Sequence, residues 1–197
     1  MDKVSSTNDN IIKAALKLFS EKGYLGATTR EISREAGVSE VTLFRHFPAK
    51  EKLLEEVIGK YSFLPALKDL LSEIHDLSYM DALTLIAQRL LDFLVMRKDW
   101  IRIMHAEVQR SPESKLHGIF HGLMEEFYNT LAVYFKTMQE KGALTDFDPA
   151  YGARAFHGIF FCYFNMEDVL RRDRYRIADR NKAISEFVTI FVKGTER

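Results

Sequence analysis

Arg30, Arg45 and Lys50 carry positive charge in a stretch whose hydroxyls come from Thr28, Thr29 and Thr42. Hydroxyls and the backbone N–H groups of helix starts suit phosphate oxygens, and a guanidinium can also read guanine through two parallel hydrogen bonds. That chemistry works only if the groups share one surface, so the elements that hold them come next.

Thr28-Thr29-Arg30-Glu31 is a helix start. Thr28 and Glu31 fit a capping box, in which each side chain satisfies a backbone N–H of the other, and Ala27 with Ile32 fits the accompanying hydrophobic staple. Glu35-Ala36-Gly37-Val38-Ser39 then reads as a stop, a tight turn and a new start. Gly37 tolerates the positive φ of a helix end. Ser39 is a good N-cap, and Val38 with Leu43 makes a second staple. Two short helices joined by a three- to four-residue turn containing glycine are the signature of a helix-turn-helix. On the second helix, about 40–46, Leu43 and Phe47 can point inward while Thr42, Arg45 and His46 point away. Val41 could face either way. A helix this short buries little, so its outer face is free to enter a major groove.

The whole chain fits an all-α fold. Apolar residues recur at i, i+3, i+4, i+7, as in Ile12, Ala15, Leu16, Phe19 and again in Phe120, Leu123, Met124, Phe127. The prolines Pro48, Pro65, Pro112 and Pro149 all fall at helix boundaries, and no Asn-Gly or Asp-Gly hairpin signal occurs. The spacing predicts helices at about 8–22, 29–36, 40–46, 50–61, 65–77, 80–97, 99–110, 112–141, 148–170 and 179–193. The first helices are short and punctuated by Gly23, Gly26 and Gly37; the later ones are long and aromatic. That shift divides the chain into residues 1–49 and 50–197, with 50–61 as a connecting helix.

Composition narrows the class. The 197 residues contain 47% hydrophobic and 28% charged residues, ordinary for a globular protein. Lys plus Arg and Asp plus Glu each number 28, which excludes a histone-like basic protein and an acidic tail protein. Over residues 1–60, seven Lys and three Arg stand against two Asp and seven Glu, a balance of only +1. DNA affinity must then rest on a few placed groups, doubled by symmetry, with a modest salt dependence. The longest apolar run, Ile159–Phe164, has six residues, far short of a membrane span, and the first apolar stretch is broken by Lys13 and Lys17. The expected setting is a cytoplasmic protein with no membrane contact. The single cysteine, Cys162, can form neither an internal disulfide nor a thiolate metal cage and reads as a small buried hydrophobe.

Residues 11–58 resemble the DNA-binding domain of the TetR family of transcriptional regulators. The resemblance is carried by Ile12, Ala15, Leu18-Phe19, Gly23-Tyr24, Thr28-Thr29, Ile32, Ala36-Gly37-Val38-Ser39, Thr42-Leu43-Phe44, His46-Phe47, Lys50-Glu51 and Leu53, in that order and spacing. It implies an all-α protein with an N-terminal three-helix helix-turn-helix domain, followed by a larger helical bundle for ligand binding and dimerisation. By similarity, Thr28, Thr29, Thr42, His46 and Lys50 sit near phosphates, and Arg30, Ser39, Glu40, Phe44 and Arg45 face bases. Phe44 stands where the family most often has Tyr; it loses a hydroxyl but can still touch a thymine methyl. Ala49 stands where a capping Ser, Asn or Asp is usual, which weakens that helix start by about 1 kcal/mol. Glu40 would accept from a cytosine amino group and repel phosphate.

The resemblance further implies a homodimer on a palindromic double-stranded DNA operator, most often a repressor, with a small-molecule effector in the bundle. Polar-tipped or adaptable side chains suit such a pocket: Met96, Trp100, Met104, His105, Phe120, His121, Met124, Tyr128 and Phe161. Family dimers form through the last two long helices, here assigned through Phe156, Phe160, Phe164, Ile184, Phe187, Val188 and Phe191. The alternative is that one of these helices is simply central in the protomer. His117 and His121 share a helix face, with His105 and His157 elsewhere, but no Glu is followed three residues later by His; no metal and no cofactor are expected. The Arg171–Arg180 cluster, interspersed with Asp173 and Asp179, reads as a solvated loop with local ion pairs. No nucleophile–base constellation, phosphate loop or carboxylate pair argues for an enzyme. The other reading kept open is a DNA-binding regulator without a small ligand, controlled by a protein partner.

Overall fold

The computed structural model describes residues 3–98, 100–101, 115–170 and 179–197, and its regular elements are helices: α1 (Lys3–Gly26), α2 (Thr29–Glu35), α3 (Glu40–His46), α4 (Lys50–Tyr61), α5 (Leu64–Glu73), α6 (Tyr79–Met96), α7 (Lys115–Glu140), α8 (Pro149–Phe164) and α9 (Arg180–Thr195). No strand occurs among the described residues beyond one isolated bridge, Leu144 with Glu196. The all-α expectation therefore holds. Pro65 and Pro149 lie in the first turns of α5 and α8, where a missing N–H is harmless. Pro112 lies outside the described residues. α1 begins earlier than expected and bends at Gly23, where φ is +75°. α8 ends at Phe164 rather than 170: the chain continues as a π-turn over Asn165–Val169, with the Leu170 N–H donating to the Asn165 carbonyl at 2.9 Å.

The chain forms two compact units. The first comprises residues 1–62 and 99–123. Ile11, Ala15, Phe19, Ala27, Ile32, Leu43, Leu53, Leu54 and Val57 are essentially inaccessible in its core, and Trp100, Ile119 and Leu123 pack against them. The unit thus extends beyond residue 49: α4 gives Leu53, Leu54, Val57 and Ile58 to the same core as α1 to α3. Exposed pairs Lys17–Glu35, Lys22–Glu31 and Lys60–Asp9, all at 2.6–2.7 Å, tie α1 to its neighbours and add little each.

The second unit comprises residues 63–98 and 124–197. Its core is aromatic. Phe156 and Phe135 lie 5.3 and 5.7 Å from Phe191, ring centre to ring centre, and Phe156 lies 5.0 Å from Phe160. α7 ends in a Schellman turn at Gly142, whose φ is +76°: Gly142 N–H donates to Gln139 and Ala143 N–H to Met138. The Gln139 amide then donates to the Thr145 and Phe147 carbonyls, fixing the loop that carries Phe147 onto Gly152. The C-terminus is held by Thr145 N–H to Thr195 and by the Tyr79 hydroxyl, 3.0 Å from Thr195 Oγ1.

Candidate nucleic-acid interface

Hydrogen bonds at element ends build the α2–turn–α3 unit. The Thr28 hydroxyl accepts from Glu31 N–H, and the Glu31 carboxylate accepts from Thr28 N–H at 3.1 Å, so the capping box is complete. Lys22 reaches the same carboxylate at 2.7 Å; this ion pair and the Thr28 hydrogen bonds lower the Glu31 pKa to about 2. At the other end of α2, Gly37 has φ of +70°, its N–H donates to Arg34, and Val38 N–H donates to Ser33. This is a Schellman turn, and it aims the chain directly into α3. Ser39 caps α3 by accepting from Thr42 N–H at 3.1 Å. Only Leu43 of α3 is fully buried.

Thr28, Arg30, Ser39, Phe44 and Arg45 are exposed, and Thr29, Glu40, Thr42, His46 and Lys50 are half-buried. Several do more than face outward. The Thr29 hydroxyl donates to the Glu40 carboxylate at 2.8 Å, bridging the starts of α2 and α3. Ser39 Oγ and Thr42 Oγ1 lie 3.0 Å apart. The Lys50 ammonium sits 4.5 Å from the centre of the Tyr24 ring, a cation–π contact that holds it at the start of α4. Burial and the Glu51 carboxylate raise the Tyr24 pKa to about 12, so the ring stays neutral beneath that cation. Ala49 gives α4 no side-chain cap, leaving its first-turn N–H groups without one. Val41, whose orientation the sequence leaves open, is 80% exposed. Its spacing to Arg45 (i, i+4) could have revealed it.

The expectations for the rest of the chain need correction. Phe156, Phe160, Phe164, Ile184, Val188 and Phe191 are buried inside the protomer, so they form its own core and leave no surface for a partner; only Phe187 of that set is half-exposed. Cys162 is exposed rather than buried, because it lies on the outer face of α8. Among the pocket residues, Met96 is 79% exposed and His121 is exposed, which removes both from an enclosed cavity. Trp100 packs on the core of the first unit. Phe120 is half-buried. Met104, His105 and the loop 171–178 lie outside the described residues; Arg180 pairs with Asp92 at 2.9 Å.

The half-buried Met124, Tyr128 and Phe161 belong to the second unit. There Tyr128 Oη lies 3.3 Å from Nδ1 of His157, Phe161 stacks on that imidazole at 5.3 Å, and Arg154 lies 4.9 Å from the Tyr128 ring. Burial lowers the His157 pKa to about 4, so it is neutral near pH 7. A separate surface groove of about 650 Å³, between α5 and the second half of α7, is lined by Leu71, Ile74, Tyr134 and Met138 with Lys68 and Lys141. No group of three or more His, Cys, Asp or Glu suited to a metal occurs, and no helix is long and apolar enough to cross a membrane, among the described residues.

A buried core built by α1 to α4 and carrying a capped, glycine-turned pair of short helices is a helix-turn-helix unit. Comparison with known proteins agrees. Residues 11–57 match the model for bacterial regulatory proteins of the tetR family, and residues 81–194 match that of the AefR-like transcriptional repressor C-terminal domain. The uncharacterized HTH-type transcriptional regulator YvkB of Bacillus subtilis (strain 168) is 33% identical over 188 residues, spanning 95% of this chain and 96% of that one. The chain belongs to the TetR family of transcriptional regulators. A Mesorhizobium loti structure assigned to that family superposes with a TM-score of 0.81 over 100% of both chains at 22% identity. The Bacillus subtilis regulator FadR, solved in complex with stearoyl-CoA, superposes with a TM-score of 0.72 over 91% of this chain and 96% of its own, at 17% identity.

Proposed function

We propose that this regulator is a repressor that binds a palindromic DNA operator as a homodimer and is released by a small hydrophobic effector. In this reading residues 1–49, with Lys50 at the start of α4, contact DNA, residues 50–197 bind the effector and dimerise, and α4 (50–61) transmits between them. The DNA-binding part rests on one observation: Arg30 and Arg45 are exposed on two short helices whose ends are fixed by caps rather than by their own packing. Lys50, parked on Tyr24, and the uncapped start of α4 supply phosphate contacts nearby.

Two features support the remainder. The rings of Tyr128, His157 and Phe161 are partly accessible and carry a single polar pair, the composition of a pocket for a mostly apolar ligand. The solved relative that holds stearoyl-CoA has the same fold. An effector acts by preferring a conformation whose two recognition helices are wrongly spaced; taking the operator-competent state from 99:1 to 1:99 needs a preference of about 5.5 kcal/mol. For the dimer, the outer face of α8 offers Ala155, Gly158 and Cys162 with Ile159, and α9 offers Phe187 and Ile190. Small residues there allow close helix approach.

Selection of bound duplexes from random DNA should return a palindrome, and Arg45→Ala should weaken binding to it by about 1–3 kcal/mol for each half-site. Recovery of no sequence, or unchanged affinity in Arg45→Ala and Lys50→Ala together, would defeat the reading. Gly158→Glu, at an exposed position where no atom lies within 4 Å of an added Cβ, should leave the protomer folded and shift sedimentation from dimer to monomer.

A further inference from the structure

In the second unit, aromatic rings from four parts of the chain meet around His157. Phe127 and Tyr128 of α7 stand edge-to-face with the imidazole at 5.2 and 5.5 Å, and Phe161, one turn further along α8, stacks on it at 5.3 Å. Phe63, just before α5, links Phe127 at 6.4 Å to Phe93 of α6 at 5.5 Å. Phe63 and Phe127 are buried, whereas Phe93, Tyr128, His157 and Phe161 are half-buried, so the cluster has a closed floor and an accessible side. Nδ1 of His157 lies 3.3 Å from Tyr128 Oη, and Nε2 makes no hydrogen bond among the described residues. Nε2 is not one of the enclosed, unpartnered polar atoms either, so it reaches the accessible side.

A neutral imidazole carries one N–H. If the Tyr128 hydroxyl donates to Nδ1, Nε2–H is left to donate. If Nδ1–H donates to Tyr128, Nε2 accepts and the hydroxyl hydrogen turns outward. Either arrangement can meet a hydroxyl or a carbonyl, and neither carries charge. Burial holds the imidazole neutral, with a pKa of about 4, and raises that of the Tyr128 hydroxyl. Arg154, 4.9 Å from the centre of the Tyr128 ring, donates to the Glu125 carboxylate at 2.9 Å, so its charge is already compensated. An anion placed against the Tyr128–His157 pair would meet no balancing charge. Protonating His157 to supply one at pH 7 would lower affinity about a thousandfold.

Resting on the effector reading above, we propose that Tyr128 and His157 select the effector for being uncharged: the site takes a flat, mostly apolar molecule bearing one hydroxyl or carbonyl group and rejects carboxylates and phosphates. Both are specificity-determining residues, and the surrounding rings supply the stacking surface.

Three probes with one ring system separate the contributions. Near pH 7, 2-naphthol is neutral and bears a hydroxyl, naphthalene has no polar group, and 2-naphthoate is ionised. In equilibrium dialysis against the full-length protein, 2-naphthol should bind, and 2-naphthoate should bind about a thousandfold more weakly. Tyr128→Phe and His157→Phe each keep a ring and remove polar atoms. Each should weaken 2-naphthol about tenfold, leave naphthalene unchanged and keep a thermal midpoint near that of wild type. 2-Naphthol should also release the wild-type protein from the duplex recovered by selection. Binding of 2-naphthoate as tight as that of 2-naphthol overturns the proposal and leaves a small-molecule effector in place. Unchanged 2-naphthol affinity in both variants also overturns it, because the hydroxyl is then read by other residues. Failure of all three probes to bind, or a duplex still held at saturating 2-naphthol, overturns the proposal together with the effector reading beneath it; recovery of a palindrome tests DNA recognition separately.

Discussion

The seven-residue helices α2 and α3 bury Ile32, Ser33 and Leu43 between them, whereas α8 alone buries Phe156, Phe160, Tyr163 and Phe164. Short helices with so little packing are marginal by themselves, and here their ends are specified in detail: a capping box at Thr28, a Schellman turn at Gly37 and a Ser39 cap. The aromatic helix α8 has the opposite construction. Its one side-chain cap, Asp148, matters less than the rings it stacks on Phe135 and Phe191. The first unit should therefore be sensitive to changes at helix ends, and the second to changes of volume.

The largest test of that contrast is Phe156→Ala. Phe156 is inaccessible and in contact with Phe135, Phe160 and Phe191, so its truncation should remove about 3–5 kcal/mol, read from denaturant or thermal unfolding of the whole chain. A variant that instead kept its stability and lost only its dimer would restore Phe156 to an interface. Gly152→Ala comes next. An added Cβ would lie 2.5 Å from Cε2 of Phe147, whose loop is pinned by Gln139, so the ring has little room to retreat. A loss of about 1–3 kcal/mol is expected. Gly158→Ala, on the open side of the same helix, should be neutral or stabilising for the protomer itself, because nothing in the protomer lies within 4 Å and alanine is the better helix former.

This contrast also explains what could be read from the sequence. Caps and turns are local signals: Thr28, Glu31, Gly37 and Ser39 lie within twelve consecutive residues, and each predicted bond between them is present. Burial in an aromatic bundle is not local. Phe156, Phe160 and Phe164 share one face of α8, and their spacing is the same whether that face meets the chain's own Phe191 or a partner. The sequence reading assigned them to the interface, yet the outward stripe is the one with Ala155, Gly158 and Cys162. Val41 stays ambiguous in the sequence for a related reason: β-branched and apolar, it has the composition of a core residue, yet it lies exposed on α3. The Thr29–Glu40 bridge spans eleven residues and two elements, and no local rule anticipates it.

Among the helix ends, Thr28→Ala should lower stability by about 1 kcal/mol, and Ala49→Ser should raise it by about the same amount by capping α4. The two substitutions separate stability from recognition. If the start of α4 contacts phosphate, the hydroxyl introduced by Ala49→Ser competes for the same N–H groups. Unfolding would then improve while operator affinity fell or stayed level. An Ala49→Ser protein that gained no stability would show that the α4 start is already satisfied by another route.

The smallest effect is the most specific. The Glu31 carboxylate, with its pKa lowered to about 2 by the Lys22 ammonium and by hydrogen bonds from Thr28, is acceptor and counter-ion at once. A carboxyl whose folded pKa lies below its unfolded value of 4.5 binds its proton less readily in the native state. Its stabilising contribution is complete above about pH 4.5 and disappears as pH falls through about 2. The group is solvent-exposed, so water and salt screen the effect, and the slope is a better measure than the size. Glu31→Gln keeps an oxygen able to accept from Thr28 N–H and removes the titration together with the ion pair to Lys22. Near neutral pH the variant should unfold at a slightly lower temperature than wild type, and the two curves should converge as the pH falls toward about 2. Between about pH 4.5 and 2 its thermal midpoint should fall less steeply, and added salt should narrow the gap between the two curves by screening the Lys22 pair. Parallel curves across that window would mean that the carboxylate does not hold the start of α2, and the first unit would lose its clearest example of a fold set by its helix ends.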